Sequence, residues 1–284
     1  MSERVYVLLP VHNRKEITRK FVDSLKAQTW QDFHLLLIDD GSTDGTADMV
    51  RSLVAAEKLT VIKGKGNWWW AGSLQQGIDR LKKRDVKASD IVLMINDDVT
   101  FGPEFLEKGA DFLKRFPESL LLARFYDEEQ RKVVETGVKA DLKRISFVDA
   151  DTSEEINCLS TRGLFMAWDV LRRMGNFHPI MLPHYGSDYE FTMRAVKKGL
   201  EMKTDLEVFL IPDHSATGVR EYEADSFADE IKVMFSKRCT YNPVYWTSLI
   251  LLAFPVRFMA PNILRVWSGA VWRLLKSLRQ GIVA

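Results

Sequence analysis

The stretch Ile91–Val99, IVLMINDDV, decides the fold of this 284-residue chain. Its apolar run, Ile91–Ile95, does not alternate with polar residues, which is typical of a strand buried on both faces of a parallel sheet. The strand delivers Asn96, Asp97 and Asp98 to its carboxyl end, where ligands gather in open α/β sheets. Two adjacent carboxylates repel each other unless a cation, hydrogen-bond donors or water offset the charge. The stretch therefore favours a site for a hard divalent ion that also holds phosphate oxygens, with an acidic turn that caps the next helix as the alternative.

Strands and helices alternate along most of the chain. Helical patterns end near Gln28 and cover Ala71–Lys83, and the polar segment 127–157 is predicted to be a hairpin or a loop over the site. This spacing is typical of right-handed βαβ units, so we expect an α/β fold with a mostly parallel sheet flanked by helices. The other predicted strands are Val5–Leu9, Phe33–Ile38, Leu59–Ile62, Leu120–Phe125, Gly163–Ala167 and Glu207–Ile211.

Composition indicates a globular protein with a sizeable core. Apolar residues make up 46% of the chain, and the formal net charge of +1 gives no sign of nucleic-acid binding. Cys158 and Cys239 lack metal-like spacing and are expected to be packed thiols in a reducing compartment. No secretory h-region is visible, and no apolar run reaches the roughly 20 residues that span a bilayer. We therefore expect a cytoplasmic protein.

Charge is distributed unevenly, because no Asp or Glu follows Glu230 whereas eight Lys and Arg residues do. A basic amphipathic helix with tryptophans, as in Asn262–Arg279, is typical of a membrane interface. A helix docked on the domain with its basic face in solvent is the alternative. We predict a domain of residues 1–225 and a basic, aromatic-rich helical tail of residues 226–284, which binds an anionic membrane surface at the inner face of the cell membrane. The apolar stripe of the tail helix consists of Ile263, Trp267, Ala270, Val271, Leu274 and Leu278.

Several motifs occur in a fixed order. They are VLLPVHNRKE (7–16), a helix that ends LKAQTW (25–30), FHLLLIDDGSTDGT (33–46), NDDV (96–99) and GSDYEFTMRAVKKG (186–199). Together they resemble the family 2 glycosyltransferases with the GT-A fold, over about residues 4–218. The resemblance implies a Rossmann-like GT-A sheet, a divalent metal (Mn²⁺ or Mg²⁺) as cofactor, and an inverting transfer from a nucleoside diphosphate sugar to an acceptor hydroxyl.

The resemblance also implies roles for individual residues. Asp188, in GSDYE, falls at the position of the catalytic base, and its place at the start of a helix favours the ionised form. A plain helix N-cap is the alternative for Asp188. Asp98 and His214 are implied as metal ligands, and a structural histidine is the alternative for the latter. The implied contacts with the nucleotide sugar are Pro10, His12, Asn13, Arg14, Asp40, Asn96, Asp97 and Glu190. We also expect a contact from Asn67, at the start of a run that departs from the family pattern.

The run Trp68–Trp70 departs from the family pattern. Three consecutive tryptophans cannot all face one core, so we expect Trp69 or Trp70 to contact the donor sugar or the acceptor, because aromatic faces stack on the C–H patches of sugars. Packing under the sheet is the competing explanation.

These observations predict a glycosyltransferase that extends a lipid-linked saccharide in O-antigen or capsule synthesis, with a dTDP-rhamnose-like or UDP-hexose donor. A nucleotidyltransferase is one alternative, although Leu8–Arg14 contains no glycine of a phosphate-binding loop. A non-catalytic module that binds a sugar or a lipid carrier is the other.

Overall fold

One nine-stranded sheet organises the computed structural model, which describes residues 3–213 and 226–283. The elements are β1 (Val5–Val11), α1 (Lys15–Lys26), β2 (Phe33–Asp39), α2 (Thr46–Leu53), β3 (Leu59–Lys63), α3 (Trp69–Leu81), β4 (Ile91–Met94), β5 (Val99–Thr100), α4 (Phe105–Arg115), β6 (Ser119–Asp127), β7 (Lys132–Val134), β8 (Val138–Asp141), β9 (Ser146–Asp149), β10 (Leu164–Ala167), α5 (Trp168–Met174), α6 (Ser187–Lys197), β11 (Glu201–Pro212), α7 (Phe227–Met234), α8 (Pro243–Ala253) and α9 (Val256–Val283).

The strand order is β3-β2-β1-β4-β10-β6-β11-β5, with β7 added beside β6. Strands β1 to β4 pair in parallel, as do β6 and β11, whereas β10 runs antiparallel between β4 and β6. The expected mostly parallel sheet flanked by helices is confirmed. The order reverses at β1, whose neighbours are β2 and β4, and the crevice outside their carboxyl ends is where ligands bind in such sheets.

The apolar runs lack alternation because both faces of the sheet are covered. In β2, Leu35 and Leu37 join a core under α1, α2 and α4, while Leu36 and Ile38 join a second core under α3, α5 and α6. A strand buried on both faces has no polar side, which explains why polar and apolar residues do not alternate in these stretches of sequence.

Two strands differ from the expectation. Strand β11 begins at Glu201 rather than Glu207, because its first half is polar and partly exposed and its pairing with β6 shifts between Asp205 and Phe209. Strand β5, of only two residues, has no sequence signal. Segment 127–157 contains β7 and the hairpin β8–β9, in agreement with the predicted hairpin.

The C-terminal helices pack on the sheet domain. Leu249 and Ile250 of α8 join a third apolar cluster with Met193 of α6 and Val138 of β8. Helix α9 is tied to the turn between β8 and β9, since the Asn262 amide donates to the Leu142 carbonyl at 2.7 Å.

The predicted apolar stripe of α9 is divided between two faces of the helix. The apolar surface of the helix is wider than the part that the domain covers. Ile263 and Val266 pack on the domain, whereas a second apolar face is exposed. None of the helices within residues 3–213 and 226–283 combines the length and the apolarity needed to cross a membrane. The exposed face consists of Leu264, Trp267, Val271, Leu275 and Leu278.

Candidate active site

The acidic turn after β4 is buried and lies among cationic side chains. Asp97 and Asp98 are 3% and 4% exposed. Arg14 approaches both carboxylates at 3.3 Å, and Arg162 Nη2 lies 3.1 Å from Asp98 Oδ1. The Thr18 hydroxyl donates to Asp97 at 2.8 Å. Burial raises the pKa of Asp97 to about 6, although Arg14 opposes the shift. The guanidinium groups therefore offset charge that the protein interior disfavours.

Asn96 and Asp98 form an oxygen donor set on the same turn. Asn96 Oδ1 is buried and has no hydrogen-bond partner within the described part of the chain. Hard divalent cations prefer oxygen ligands and usually keep several of them from phosphate and water, so these two residues fit Mn²⁺ or Mg²⁺. No group of three Asp, Glu, His or Cys side chains converges as a complete metal cage within the described residues.

The end of β11 lies against this turn. The Asp213 backbone N–H donates to the Asp98 carbonyl at 2.9 Å. His214, the second predicted metal ligand, lies outside the described residues.

Asp188 lies at the second position of α6, after Gly186, which adopts the left-handed conformation at φ +78°. Its side chain lines a cavity of about 600 Å³ together with Asn96 and Arg162. Burial raises the pKa of Asp188 to about 6, and the Tyr189 backbone N–H, which donates to Asp188 Oδ1 at 2.9 Å, opposes the shift. A carboxylate with this pKa can accept a proton near neutral pH. Asp98 itself does not line the cavity, but Arg162 connects it to the wall.

Aromatic side chains form much of the remaining wall. The Trp70 indole N–H donates to the Thr161 hydroxyl at 2.8 Å, and the Trp246 indole N–H donates to the Thr240 carbonyl at 2.9 Å. These bonds fix the two ring planes. The aromatic residues that line the cavity are Trp70, Phe125, Tyr185, Tyr189, Tyr245 and Trp246, of which the last two come from α8.

The loops after β1 and β2 are held together by side chains predicted to contact the nucleotide. His12 Nδ1 lies 2.7 Å from the Asp40 carbonyl. Asn13, at φ +51°, accepts the Thr43 backbone N–H at 2.8 Å. Pro10, at the end of β1, pairs with Ile38 in the sheet. These residues lie with Arg14 and the acidic turn at the carboxyl edge of the sheet, and their contact with a nucleotide stays a prediction.

Asp40 organises the loop that leads into α3. Its two carboxylate oxygens accept the backbone N–H groups of residues 66–69 at 2.8, 3.2, 2.7 and 3.2 Å. Only Trp69 belongs to α3, so the carboxylate satisfies three N–H groups of the loop as well as the first N–H of the helix. Both oxygens are thus used inside the chain, and contact with the nucleotide base stays a prediction. Asn67, in the same loop, is exposed.

Trp69 and Trp70 diverge. Trp69, at φ +58°, does not line the cavity and lies beside His184, with 5.7 Å between ring centroids. Lys237, from the loop between α7 and α8, lies 5.9 Å above the Trp69 ring. Of the two, only Trp70 lines the cavity, and its contact with a sugar stays a prediction.

Glu190 requires a correction. It is 1% exposed, does not line the cavity and lies 2.8 Å from Arg194 Nε. Arg194 in turn donates to the Met174 and Asn176 carbonyls at 2.9 and 2.6 Å. Two residues along a helix is a rotation of roughly 200°, so Glu190 points away from the face that carries Asp188. The structure gives Glu190 a packing role rather than the predicted sugar contact.

Sequence reasoning missed Arg162 and the residues of α8. Arg162 precedes β10 in a stretch without a motif, and only the pairing of β10 with β4 brings it beside Asp98. The cavity residues Tyr245, Trp246 and Leu249 lie in an apolar run that the sequence does not connect to a site.

Two family models match the chain. Glycosyl transferase family 2 matches residues 6–161, and Glycosyl transferase family group 2 matches residues 91–283. Curated relatives are similar at lower coverage. The glycosyltransferase AglE of Haloferax volcanii is 24% identical over 206 residues, which is 70% of this chain and 63% of AglE. The succinoglycan biosynthesis protein ExoW of Rhizobium meliloti is 28% identical over 160 residues, which is 55% of this chain and 46% of ExoW. The chain thus spans about half to two thirds of these two relatives.

Solved structures share the fold. The mannosyltransferase PcManGT from Pyrobaculum calidifontis, in complex with GDP-Man and Mn²⁺, superposes with a TM-score of 0.57 at 16% sequence identity. The aligned region covers 100% of this chain and 80% of the PcManGT chain. TarS 1-349 of S. aureus, in complex with UDP-GlcNAc, gives a TM-score of 0.60 at 16% identity and covers 88% and 71%.

Proposed function

This chain belongs to glycosyl transferase family 2, and we propose that it is an inverting glycosyltransferase that moves a sugar from a nucleoside diphosphate sugar to a hydroxyl group of a lipid-linked glycan. The observation that carries the proposal is the shared cavity. Asp188 lines it on one side, and Asn96 and Arg162 line it on the side of the acidic turn. One base facing one leaving-group site supports inversion, since retention through a covalent intermediate requires a positioned nucleophile as well.

The donor nucleotide binds along the carboxyl ends of β1, β2 and β4. Pro10, His12, Asn13 and Arg14 lie at this edge, with Asp97 and Asp98 opposite them. Asp98 and Asn96 would hold Mn²⁺ or Mg²⁺, which when bound would neutralise the departing diphosphate as a Lewis acid. The mannosyltransferase with GDP-Man and Mn²⁺ supports both ligand classes.

Asp188 orients the acceptor hydroxyl and accepts its proton as the oxygen attacks the anomeric carbon. A pKa of about 6 leaves most of this carboxylate ionised at pH 7, and its burial excludes bulk water from the reacting face. Trp70, Tyr245 and Trp246 present rigid aromatic surfaces that suit the C–H faces of sugar rings.

The glycan is a bacterial surface polysaccharide of the O-antigen or capsule type, and the donor is dTDP-rhamnose-like or a UDP-hexose. Succinoglycan synthesis by ExoW, and the poly(ribitol-phosphate) beta-glucosyltransferase of Bacillus spizizenii, which is 23% identical over 72% of this chain and 31% of its own length, support a role in polysaccharide synthesis.

The exposed apolar face of α9 supports peripheral attachment to the inner face of the membrane. Leu264 is 69% exposed and Val271 is 52% exposed, and every charged residue after Glu230 is basic. Apolar side chains flanked by cations suit an anionic lipid interface. Attachment there brings the enzyme to a lipid-linked acceptor.

The experiment that tests the proposal is turnover by the purified full chain. UDP-, dTDP- and GDP-sugars are supplied with Mn²⁺ or Mg²⁺, and nucleoside diphosphate release and the anomeric configuration of the product are measured. We expect release from one donor class and an inverted product. Absence of release from every donor contradicts the proposal, and pyrophosphate release from a sugar phosphate and a nucleoside triphosphate identifies a nucleotidyltransferase instead.

A further inference from the structure

Arg162 stands between the acidic turn and the catalytic cavity. Its Nη2 lies 3.1 Å from Asp98 Oδ1, and its guanidinium lies 5.0 Å above the ring of Phe125, which holds the plane of the group. The side chain lines the same cavity as Asp188. Its Nε is buried and has no acceptor within the described residues. A buried, unpartnered N–H beside a reaction cavity indicates a ligand that supplies the acceptor.

The charges around Asp98 explain which ligand that is. Asp97 and Asp98 carry two negative charges, and Arg14 and Arg162 carry two positive charges in contact with them. A divalent cation on Asp98 leaves the cluster with an excess of two positive charges, and the diphosphate of a nucleotide sugar carries two negative charges. Cation and diphosphate together therefore return the net charge of the cluster to zero. The cation alone is repelled by the two guanidinium groups that contact Asp98.

We propose that Arg162 exchanges partners during donor binding: its guanidinium leaves Asp98 Oδ1, freeing that oxygen for the cation while Arg14 stays beside Oδ2, and binds the β-phosphate of the donor. This inference rests on the proposed function and names a residue for its leaving-group side. Arginine suits the exchange because its planar fork of N–H groups matches carboxylate and phosphate equally well.

Arg162 then acts on the bond that breaks. The acceptor oxygen forms a bond to the anomeric carbon, its proton passes to Asp188, and the electron pair of the bond between the anomeric carbon and the β-phosphate oxygen stays on that oxygen. The diphosphate gains one negative charge in this step. A guanidinium already bound to the β-phosphate stabilises that charge more strongly in the transition state than in the ground state.

The exchange predicts opposite effects on two ligands, which a merely structural role cannot produce. In Arg162→Gln, binding of Mn²⁺ alone should become at least about threefold tighter, because one positive charge leaves the vicinity of Asp98. Binding of the nucleoside diphosphate in the presence of Mn²⁺ should weaken about 10- to 100-fold, as expected for loss of a charged hydrogen bond. Binding of the matching monophosphate should change by less than about threefold, because it lacks the β-phosphate.

The measurement is titration calorimetry of the full chain with Mn²⁺, and with UDP, GDP and dTDP against UMP, GMP and dTMP. Arg124→Gln is the matched control, because Arg124 is similarly buried, with side-chain exposures of 16% against 22%, and pairs with Glu135 at 2.8 Å outside the cavity. Arg162→Lys keeps the positive charge but lacks the planar set of N–H donors, so it should give intermediate diphosphate affinity. This variant preserves the test if the glutamine variant fails to fold.

Each other outcome overturns the inference. Parallel weakening of Mn²⁺ and diphosphate binding means that Arg162 only orders the turn. An unchanged ratio of diphosphate to monophosphate affinity removes Arg162 from the leaving-group side while the proposed function stands. If none of the diphosphates binds the unsubstituted protein with Mn²⁺, the proposed function fails, and this inference fails with it.

Discussion

Replacing Asp188 with asparagine is expected to abolish transfer and to stabilise the protein at the same time. A general base contributes about 10²- to 10⁴-fold to the rate, and asparagine cannot accept the acceptor proton. Asparagine has the same shape, however, and its Oδ1 can still accept the Tyr189 backbone N–H, which lies at 2.9 Å. The substitution therefore removes a buried charge without removing this hydrogen bond.

The size of the stabilisation follows from the pKa. Burial raises the pKa of Asp188 from 3.8 to about 6. Each unit corresponds to about 1.4 kcal/mol, so ionising this group in the folded state costs at most about 3 kcal/mol at pH 7. Between pH 4 and 6 the folded state binds more protons than the unfolded state, so the free energy of unfolding contributed by Asp188 falls as pH rises. For a chain of this length, 3 kcal/mol corresponds to a Tm increase of about 5 °C.

The assay is thermal unfolding of both proteins at pH 7.5, 6, 5 and 4, together with the pH dependence of kcat in the unsubstituted enzyme. Asp188→Asn should be more stable at pH 7.5, and its advantage should vanish near pH 4. The kcat of the unsubstituted enzyme should fall about tenfold per unit below pH 6. Asp169→Asn is the control, because the Asp169 side chain is partly exposed at the start of α5 and a hydrogen bond from Arg172 lowers its pKa. A stability difference that does not depend on pH refutes the burial argument, and unchanged turnover refutes the role of the base.

Three further predictions concern the scaffold and the tail. Asp40→Ala should lower the free energy of unfolding by about 2–4 kcal/mol in urea denaturation, because four backbone N–H groups lose their charged acceptor; a loss below 0.5 kcal/mol contradicts this role. Gly109→Ala should cost about 1–3 kcal/mol by the same measurement, since a Cβ there would lie 2.7 Å from the Phe165 ring, and unchanged stability would show that the ring can move aside. Val271→Glu should weaken co-sedimentation with phosphatidylglycerol vesicles about tenfold. The control Val196→Glu, on α6 and equally exposed at 52%, should have no effect. Equal losses in the two variants would exclude α9 as the lipid-binding surface.

The strands of the parallel core could be read from the sequence because burial on both faces leaves an unmistakable apolar run. β2 and β4 are examples, and the polar residues that follow them mark the carboxyl edge of the sheet. Asp188 could be placed at the start of a helix because GSD precedes a helical pattern, whereas its place at the site was implied only by the resemblance to family 2 glycosyltransferases. In each of these cases the signal is local, since neighbouring residues carry both the structure and the site.

The remaining site depends on contacts between distant segments. Arg162 reaches Asp98 across 64 positions through the antiparallel insertion of β10, which no local pattern predicts. The resemblance implies a nucleotide contact for Asp40, but no local pattern predicts that its carboxylate also binds the backbone of the loop before α3. Glu190 shares a motif with Asp188, yet the helical period turns it to the opposite side.

Helix α8 brings the C-terminal part of the chain to the wall of the cavity. Tyr245, Trp246 and Leu249 face the reaction cavity from an element far in sequence from the donor edge. Specificity for the donor and specificity for the acceptor can thus diverge separately during evolution. Chimeras that exchange residues 226–284 between homologues should swap acceptor preference while retaining the nucleotide preference of the parent enzyme.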